Sequence, residues 1–212
     1  MLSHPHSDHA YGATAENGVF AEIEVGLVYY CDYTQNGVTK QVVDICEEKK
    51  IPMEALRKGD VKTFGEVTME VLWPTKDAVA PEEMTTEDIN NGSMVVRFDY
   101  KEHSSLFTGD LYEKGEKDLI AATEAEKVDT DLLKMPHHGY STSMSLRFLM
   151  AVKPELAVGM GSPILNKTVK ERLEGNEIPY CHDTTEQYVC VESDGTAMTY
   201  ETVWTRLKDQ KK

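Results

Sequence analysis

The sequence predicts an α/β fold in which strands and helices alternate along the chain. Short apolar runs separated by turn residues recur throughout and are typical of buried strands. Longer segments carry apolar residues three to four positions apart, which is the spacing of an amphipathic helix. The 212 residues can bury a full core, and no apolar stretch reaches the ~18–20 residues that span a bilayer. We therefore expect one domain, residues 1–212, with sheets covered by helices.

The first half of the chain is predicted to contain a strand, a helix and two hairpins. Residues 25–30 form an apolar run, and an apolar face at Val38, Val42 and Ile45 predicts a helix that ends before Pro52. An acidic segment, residues 76–88, separates the hairpins and is predicted to be a solvated loop. The predicted hairpin strands are residues 61–64 and 67–73, then 94–98 and 105–107.

The second half is predicted to alternate helices with short strands. Two of the seven histidines stand alone in the sequence. His103 is expected to be exposed in a hairpin turn, and His182 is expected to be structural. The predicted helices are 113–127, 143–151 and 167–173, and the predicted strands are 132–135, 156–159, a short one near 178, 188–191 and 197–200.

The charge of the chain argues against broad affinity for a polyanion. It has 22 basic and 37 acidic residues, a net charge of −15, and a field of this sign repels nucleic acid. The longest basic runs are the lysine pairs 49–50 and 211–212, so no basic nucleic-acid patch is predicted. The polar start shows no signal peptide, which predicts a soluble, cytoplasmic protein; an upstream segment would make an extracytoplasmic location the alternative.

Three histidines and an aspartate lie within six positions near the N-terminus: His4, His6, Asp8 and His9. Pro5 prevents a helix through His4 and His6, and in an extended segment these two side chains project to the same side. Two imidazoles held in this way can bind one metal ion, and Asp8 with His9 can bind a second. Such ligands suit Zn²⁺, Mn²⁺ or Fe²⁺ better than Ca²⁺ or Mg²⁺.

Further residues of the same types follow downstream, each at the end of a predicted strand. Asp110 ends the sequence Thr-Gly-Asp, where a carboxylate can bridge two ions, and His137 or His138 follows in Pro-His-His-Gly. Open α/β sheets usually carry their sites at the ends of strands. The sequence therefore predicts a site for two divalent metal ions, Zn²⁺ or Mn²⁺.

The spacing His-x-His-x-Asp-His from His4 to His9, followed by Asp110 and a later histidine, resembles the signature of the metallo-β-lactamase superfamily. Within that superfamily nearly the whole chain is similar to the metallo-hydrolase domain of ComEC-type DNA-uptake proteins. The resemblance implies a four-layer αβ/βα sandwich with a dinuclear metal site between two sheets. The segments that carry the closer resemblance are 90–96 (NNGSMVV), 105–110 (SLFTGD) and 133–139 (LKMPHHG).

The resemblance also implies a role for each motif residue. Asp8 and Asp110 would be the catalytic residues, with Asp8 orienting the water that the ions activate. The ligands implied by position are His4 and His6 for the first ion, Asp8, His9 and His137 for the second, and Asp110 as the bridge. His138, Asn91 and Ser162 are further candidates, as alternative ligands or as substrate contacts.

Three departures from the family pattern bear on these expectations. Typical members have two or more strands before the histidine motif, so the sandwich is expected to be N-terminally truncated and to lack its leading strands. Asn90 and Asn91 stand where many superfamily enzymes have a histidine, which leaves the first ion one strong ligand short. Ser162 stands where the subgroup usually has the histidine of a Gly-His-Pro triplet, which favours a loss of activity.

The expected activity is the hydrolysis of phosphodiesters. Two metal ions neutralise phosphate charge, lower the pKa of a bound water and orient it for in-line attack. The expected substrate is single-stranded DNA or a small anionic diester, such as a teichoic-acid or phosphocholine ester. The alternative is a metal-binding interaction or regulatory module, related to DNA-uptake proteins, that has no turnover.

Overall fold

A computed structural model describes residues 1–33, 35–161 and 165–205. Within them, no helix is long and apolar enough to cross a membrane. The strands are β1 Val28–Tyr30, β2 Met53–Ala55, β3 Val61–Phe64, β4 Val67–Trp73, β5 Val95–Tyr100, β6 His103–Phe107, β7 Leu132–Lys134, β8 Leu156–Gly159, β9 Tyr180–His182, β10 Val189–Ser193 and β11 Met198–Thr202. The helices are α1 Ser7–Thr14, α2 Val19–Glu22, α3 Gly37–Lys49, α4 Thr86–Asn91, α5 Glu113–Ala122, α6 Ala125–Val128, α7 Leu146–Val152, α8 Lys167–Gly175 and α9 Asp183–Glu186.

The centre of the fold is a seven-stranded sheet whose strands follow the chain in the order β3-β4-β5-β6-β7-β8-β9. Strands β3 to β6 are antiparallel neighbours, as the two predicted hairpins require. Strands β6 to β9 run parallel, each joined to the next by a connection that contains a helix. The α/β class with mixed sheets is confirmed. The four parallel strands deliver their carboxyl ends to one edge of the sheet.

One face of the large sheet is covered by helices α5, α7 and α8. Leu106 and Leu133 point from the sheet into a buried cluster with Leu119, Phe148 and Val169 of the three helices, and all five are fully buried. In α8 the buried residues Val169 and Leu173 lie four positions apart, the period expected for one buried helix face. At ~25 cal/mol per Å² of apolar surface removed from water, such a cluster is the main stabilising contribution on this side.

The opposite face is covered by two smaller sheets. The parallel pair β1–β2 packs on β4 and β5 through residues such as Leu56, Met69 and Val96, and helices α1 and α3 cover its outer side. The antiparallel pair β10–β11 packs on β7 to β9. Leu2 forms an isolated parallel bridge with Tyr30, which fixes the start of the chain beside β1.

Two elements differ from the sequence-based prediction. The single helix expected over 113–127 is wrong, because Thr123 and Glu124 are extended and separate α5 from α6. The loop expected over 76–88 contains the start of α4, which begins where Thr85 and Asp88 form a reciprocal capping box. The sequence also gave no signal for β2, because that strand has three residues and is defined by its pairing with β1.

A tight turn after β6 aims the following aspartate, Asp110, at the edge of the sheet. Gly109 in this turn has φ +53°, and an added Cβ would lie 2.7 Å from Ser93 Cβ and 3.2 Å from Ser3 Cβ. Ser93 Oγ accepts the backbone N–H of Asp110 at 3.0 Å. The turn is therefore restricted to glycine both by its left-handed backbone and by the close approach of two neighbouring segments.

Replacement of Gly109 by alanine is expected to lower the free energy of unfolding by about 1–3 kcal/mol, since the added methyl group meets Ser93 in a strained backbone conformation. Urea unfolding in the presence of EDTA measures this without a contribution from bound metal. Gly175→Ala is the matched control, because nothing lies within 4 Å of its added Cβ. An equal effect of the two substitutions would contradict the steric argument.

Candidate metal centre

The candidate site lies at the edge of the large sheet where the parallel strands end. Asp110 follows β6, His137 and His138 follow β7, and Asp183 follows β9. The fourth contribution, residues 159–161, comes from the end of β8. These segments are distant in sequence but meet at one edge, because parallel neighbours must end on the same side.

The N-terminal histidine segment is held beside this edge by hydrogen bonds to its backbone from three parts of the chain. Leu2 N–H donates to Tyr29 O at 2.9 Å, and Ser3 O accepts Met94 N–H at 2.8 Å. Asn36, which also caps the start of α3, donates from Nδ2 to Pro5 O at 2.7 Å. The segment is thus extended as expected, and α1 begins directly after it at Ser7.

Four of the predicted site residues meet in one cluster: Asp8, His9, Asp110 and His138 bring ligand atoms within 4.8 Å of one another. His9 Nε2 lies 3.1 Å and His138 Nε2 lies 3.2 Å from the same oxygen, Asp110 Oδ2. Asp8 Oδ2 lies 3.4 Å from His138 Nε2 and 3.6 Å from His9 Nε2. Two imidazoles and two carboxylates facing one point form a ligand set for a divalent transition metal.

The structure brings His138 into this cluster, not its neighbour His137, which the resemblance placed in the ligand set. His137 Nδ1 lies 2.5 Å from Thr142 Oγ1, and its ring packs between the rings of Tyr112 and Tyr140. Burial lowers the pKa of His137. Both histidines have positive φ, 45° and 56°, and this left-handed turn sends the two adjacent side chains in different directions.

His4 and His6, predicted to hold a first ion, lie beside the cluster rather than within it. His4 is buried with its Nε2 3.9 Å from Asp110 Oδ2, and its ring lies 4.9 Å from that of His6. Burial and, to a smaller extent, the nearby His9 lower the pKa of His4 to about 2. His4 is therefore a neutral imidazole at neutral pH, the form that binds metal ions.

Asn90 and Asn91, which stand at the end of α4, have different surroundings. Asn91 Oδ1 accepts the N–H of Gly115 at 2.9 Å, within the first turn of α5, so this candidate ligand atom is engaged in the fold. Asn90 is buried and its Oδ1 has no hydrogen-bond partner within the described residues. The other candidate, Ser162, lies outside the described residues.

Asp110 is the most strongly perturbed acid of the site. Burial alone would raise the pKa of this carboxyl, but the contacts with His138 and His9 and the neighbouring Lys134 hold it well below its ordinary value. The contact with Asp110 in turn raises the pKa of His138. Asp110 is consequently an ionised carboxylate in a buried position, which requires cations or donors around it.

Lys134 is a site residue that the sequence-based analysis missed. This lysine ends β7 and is buried; its Nζ donates to Gly109 O at 2.9 Å and lies 3.6 Å from Asp110 Oδ1. Burial lowers its pKa, whereas Asp110 raises it. The available signal was a lysine inside an apolar strand directly before Pro-His-His-Gly, since buried lysines are rare unless they are paired.

The cluster opens into a cleft of about 480 Å³. Its charged and imidazole lining residues are Asp8, His9, Lys134, His138 and Asp183. Its apolar lining residues are Met1, Met94, Phe107 and Met160. The side chain of Asp8 is 60% exposed and that of Asp183 is 37% exposed, so two carboxylates are accessible from solvent there.

Comparison with curated proteins identifies competence proteins as relatives. The chain is 26% identical over 119 residues to ComE operon protein 3 of Bacillus subtilis, which covers 56% of this chain and 14% of that protein. It is 40% identical over 78 residues to competence protein ComA of Neisseria gonorrhoeae, covering 37% of this chain and 11% of that protein. The matched regions thus span a small part of the length of both relatives.

The fold was compared with solved structures. The crystal structure of Tm1679, a metal-dependent hydrolase of the β-lactamase superfamily, superimposes with a TM-score of 0.52 and 10% identity, covering 95% of this chain and 78% of that one. No protein-family model matches the sequence. The superposition and the matches to the two relatives agree. The chain has a metallo-β-lactamase fold and is a distant homologue of the competence proteins ComE operon protein 3 and ComA.

Proposed function

We propose that this chain is a metal-dependent hydrolase of phosphodiesters. The observation that carries the proposal is the convergence of Asp8, His9, Asp110 and His138 on one point beside an open cleft. Related proteins support it, since Tm1679 is described as a metal-dependent hydrolase. The choice of phosphodiesters rests on the resemblance to the DNA-uptake subgroup and on the charge of the site.

The residues present fit a metal centre on an observation independent of any relative. Among the described residues, four buried side-chain atoms form no hydrogen bond of normal geometry: His4 Nε2, His9 Nε2, Asp110 Oδ1 and Asn90 Oδ1. Two of them have only ionic contacts, His9 Nε2 with Asp110 Oδ2 at 3.1 Å and Asp110 Oδ1 with Lys134 Nζ at 3.6 Å. Buried polar atoms are nearly always paired, because each unpaired one costs about 1–3 kcal/mol. Three of the four belong to Asp110 itself and to the two histidines beside its carboxylate, and all four are atom types that bind metal ions.

The proposed ligands fall into two groups. Asp8, His9, Asp110 and His138 would hold one ion, with His138 in the role that the resemblance gave to His137. His4 and His6 would hold the other ion and share Asp110 with the first group. Asn90 is a candidate for an additional oxygen ligand of the His4–His6 ion, because its Oδ1 forms no hydrogen bond. Ser93 connects it to Asp110: Ser93 N–H donates to Asn90 O, and Ser93 Oγ accepts the N–H of Asp110.

Bound divalent ions would neutralise phosphate charge and lower the pKa of a coordinated water. The surrounding residues define how the carboxylates can act. Lys134 contacts Oδ1 of Asp110, which leaves Oδ2 directed at His9 and His138. Asp8, whose carboxylate is the more exposed of the two, directs Oδ2 at His9 and His138, so its other oxygen can orient a water in the cleft and accept its proton.

The charge distribution favours a small diester over a long nucleic-acid strand. The chain carries a net charge of −15, and the exposed carboxylates of Asp8 and Asp183 line the cleft. Without cations these groups repel a polyanion, and a single phosphate requires fewer compensating contacts than a strand. The apolar residues that line the cleft, such as Phe107 and Met160, can contact an organic substituent of such a diester.

The second candidate function is a metal-binding module without turnover. The observation that favours it is the serine at position 162, where the related subgroup usually has a histidine. A module would bind the same ions through the same ligands. Metal binding without hydrolysis of any diester would support it.

His138→Ala is expected to lower the affinity for Zn²⁺ or Mn²⁺ by at least about tenfold, because it removes one ligand of the cluster, whereas His137→Ala keeps the wild-type affinity. Isothermal titration calorimetry of metal-free protein measures both. His103→Ala is the control for a histidine outside the site. A larger loss in the His137 variant would show that the adjacent histidine is the ligand.

Wild-type protein loaded with Mn²⁺ or Zn²⁺ is expected to hydrolyse bis(p-nitrophenyl) phosphate, and Asp110→Asn is expected to lose on the order of 100-fold or more in kcat. A fluorescent single-stranded oligonucleotide tests the polymeric alternative in the same buffer. His103→Ala again serves as control. Tight metal binding with no turnover of either substrate would contradict the hydrolase proposal and favour the module.

A further inference from the structure

His138 is held from behind by the ends of β8 and β9. Its Nδ1 lies 2.7 Å from Met160 O, and a carbonyl oxygen can only accept, so Nδ1 carries the proton. That proton leaves Nε2, the atom nearest to Asp110 and Asp8, as the nitrogen that can bind a metal ion. The ring orientation of His138 therefore depends on the position of residues 159–161.

A second histidine fixes the backbone of the same residue. His182 Nε2 donates to His138 O at 3.1 Å, while its Nδ1 accepts from Thr184 N–H at 3.3 Å and lies 2.8 Å from Thr184 Oγ1. A backbone N–H can only donate and a carbonyl can only accept, so these bonds specify the tautomer protonated at Nε2. His182 is 2% exposed, and His138 has the left-handed φ of 56°.

Two glycines allow the imidazoles to pack directly on the backbone of this segment. A Cβ at Gly159 would lie 2.4 Å from His182 Cδ2, and a Cβ at Gly161 would lie 2.6 Å from His138 Nδ1. Asp183 accepts the Gly161 N–H with both carboxylate oxygens, at 3.1 and 3.0 Å. Residues 159–161 are therefore packed between the rings of His138 and His182, and Asp183 fixes their backbone.

We propose that His182 is a positioning residue of the metal centre. It holds the carbonyl of His138 in the left-handed turn and, together with Gly159 and Gly161, sets the direction in which His138 presents Nε2. This inference rests on the proposed function, because it assumes that His138 binds a metal ion. The sequence predicted a structural role for His182, and the group that it would hold in place is the backbone carbonyl of His138.

A side chain that merely fills space would not need a donor at this position. His182 is 2% exposed, and its ring packs on the backbone of Gly159, so its nitrogens have little access to water. A histidine there is advantageous only if both ring nitrogens are paired, as they are. Its bond goes to the one carbonyl whose residue supplies a ligand, and this is the feature that distinguishes positioning from packing.

The test compares His182→Gln with His182→Asn in the full chain. The glutamine amide can reach the place of Nε2 and donate to His138 O, whereas the asparagine amide is one methylene shorter and cannot. The measurements are the dissociation constant for Zn²⁺ in metal-free protein, the absorption bands of the Co²⁺-loaded protein and the free energy of unfolding in EDTA. His103→Asn is the control.

We expect His182→Gln to keep the wild-type affinity and Co²⁺ spectrum. His182→Asn should bind Zn²⁺ about 10–100-fold more weakly, because losing a hydrogen-bond partner of a metal-binding histidine typically weakens metal binding by this factor. The same variant should shift the Co²⁺ bands, because the direction of His138 Nε2 changes. Equal affinity and spectra in the asparagine variant, or equal losses in both variants, would overturn the proposal. A wild-type protein that binds no metal would overturn both proposals, whereas metal binding without hydrolysis would overturn only the hydrolase.

Discussion

The buried carboxylate of Asp110 is the group on which the arrangement of this edge of the sheet depends. Its Oδ2 is approached by His9 and His138 at 3.1 and 3.2 Å, and its Oδ1 by Lys134 at 3.6 Å. An ionised carboxylate out of water is costly unless positive or donor groups surround it. That requirement accounts for the lysine at the end of β7 and for the glycine turn that brings the backbone of Asp110 onto Ser93.

The topology explains how residues from five parts of the chain reach this edge of the sheet. Four parallel strands end at one edge, so each loop that follows them can contribute one group without distorting the core. The N-terminal segment reaches the same place by its bridge to β1 and the bond from Asn36 to Pro5. The core clusters lie on either side of the sheet and leave this edge open to the cleft. The middle of these strands therefore contributes the buried core, whereas the segments that follow their carboxyl ends contribute the residues of the candidate site.

Charge sets the chemistry that the cleft can accept. The chain is strongly acidic, and the carboxylates of Asp8 and Asp183 are exposed within the cleft. An anionic substrate can approach such a surface only when cations have reversed its local sign. Under the proposed function, metal binding and substrate binding would be linked, because ions held at this cluster would also remove the repulsion. Burial keeps His4 neutral near neutral pH, the form of an imidazole that can bind a metal ion.

The sequence by itself determined the α/β class, most strand positions and the local part of the site, because periodicity and the grouping from His4 to His9 are short-range features. It also predicted a role for Asp110 from its position at a strand end. The tertiary structure decided which of His137 and His138 lies beside Asp110, because the left-handed turn sends the two adjacent side chains in different directions. It alone revealed Lys134, because pairing of a buried ammonium with a carboxylate 24 positions earlier depends on strand neighbourhood, which periodicity does not encode.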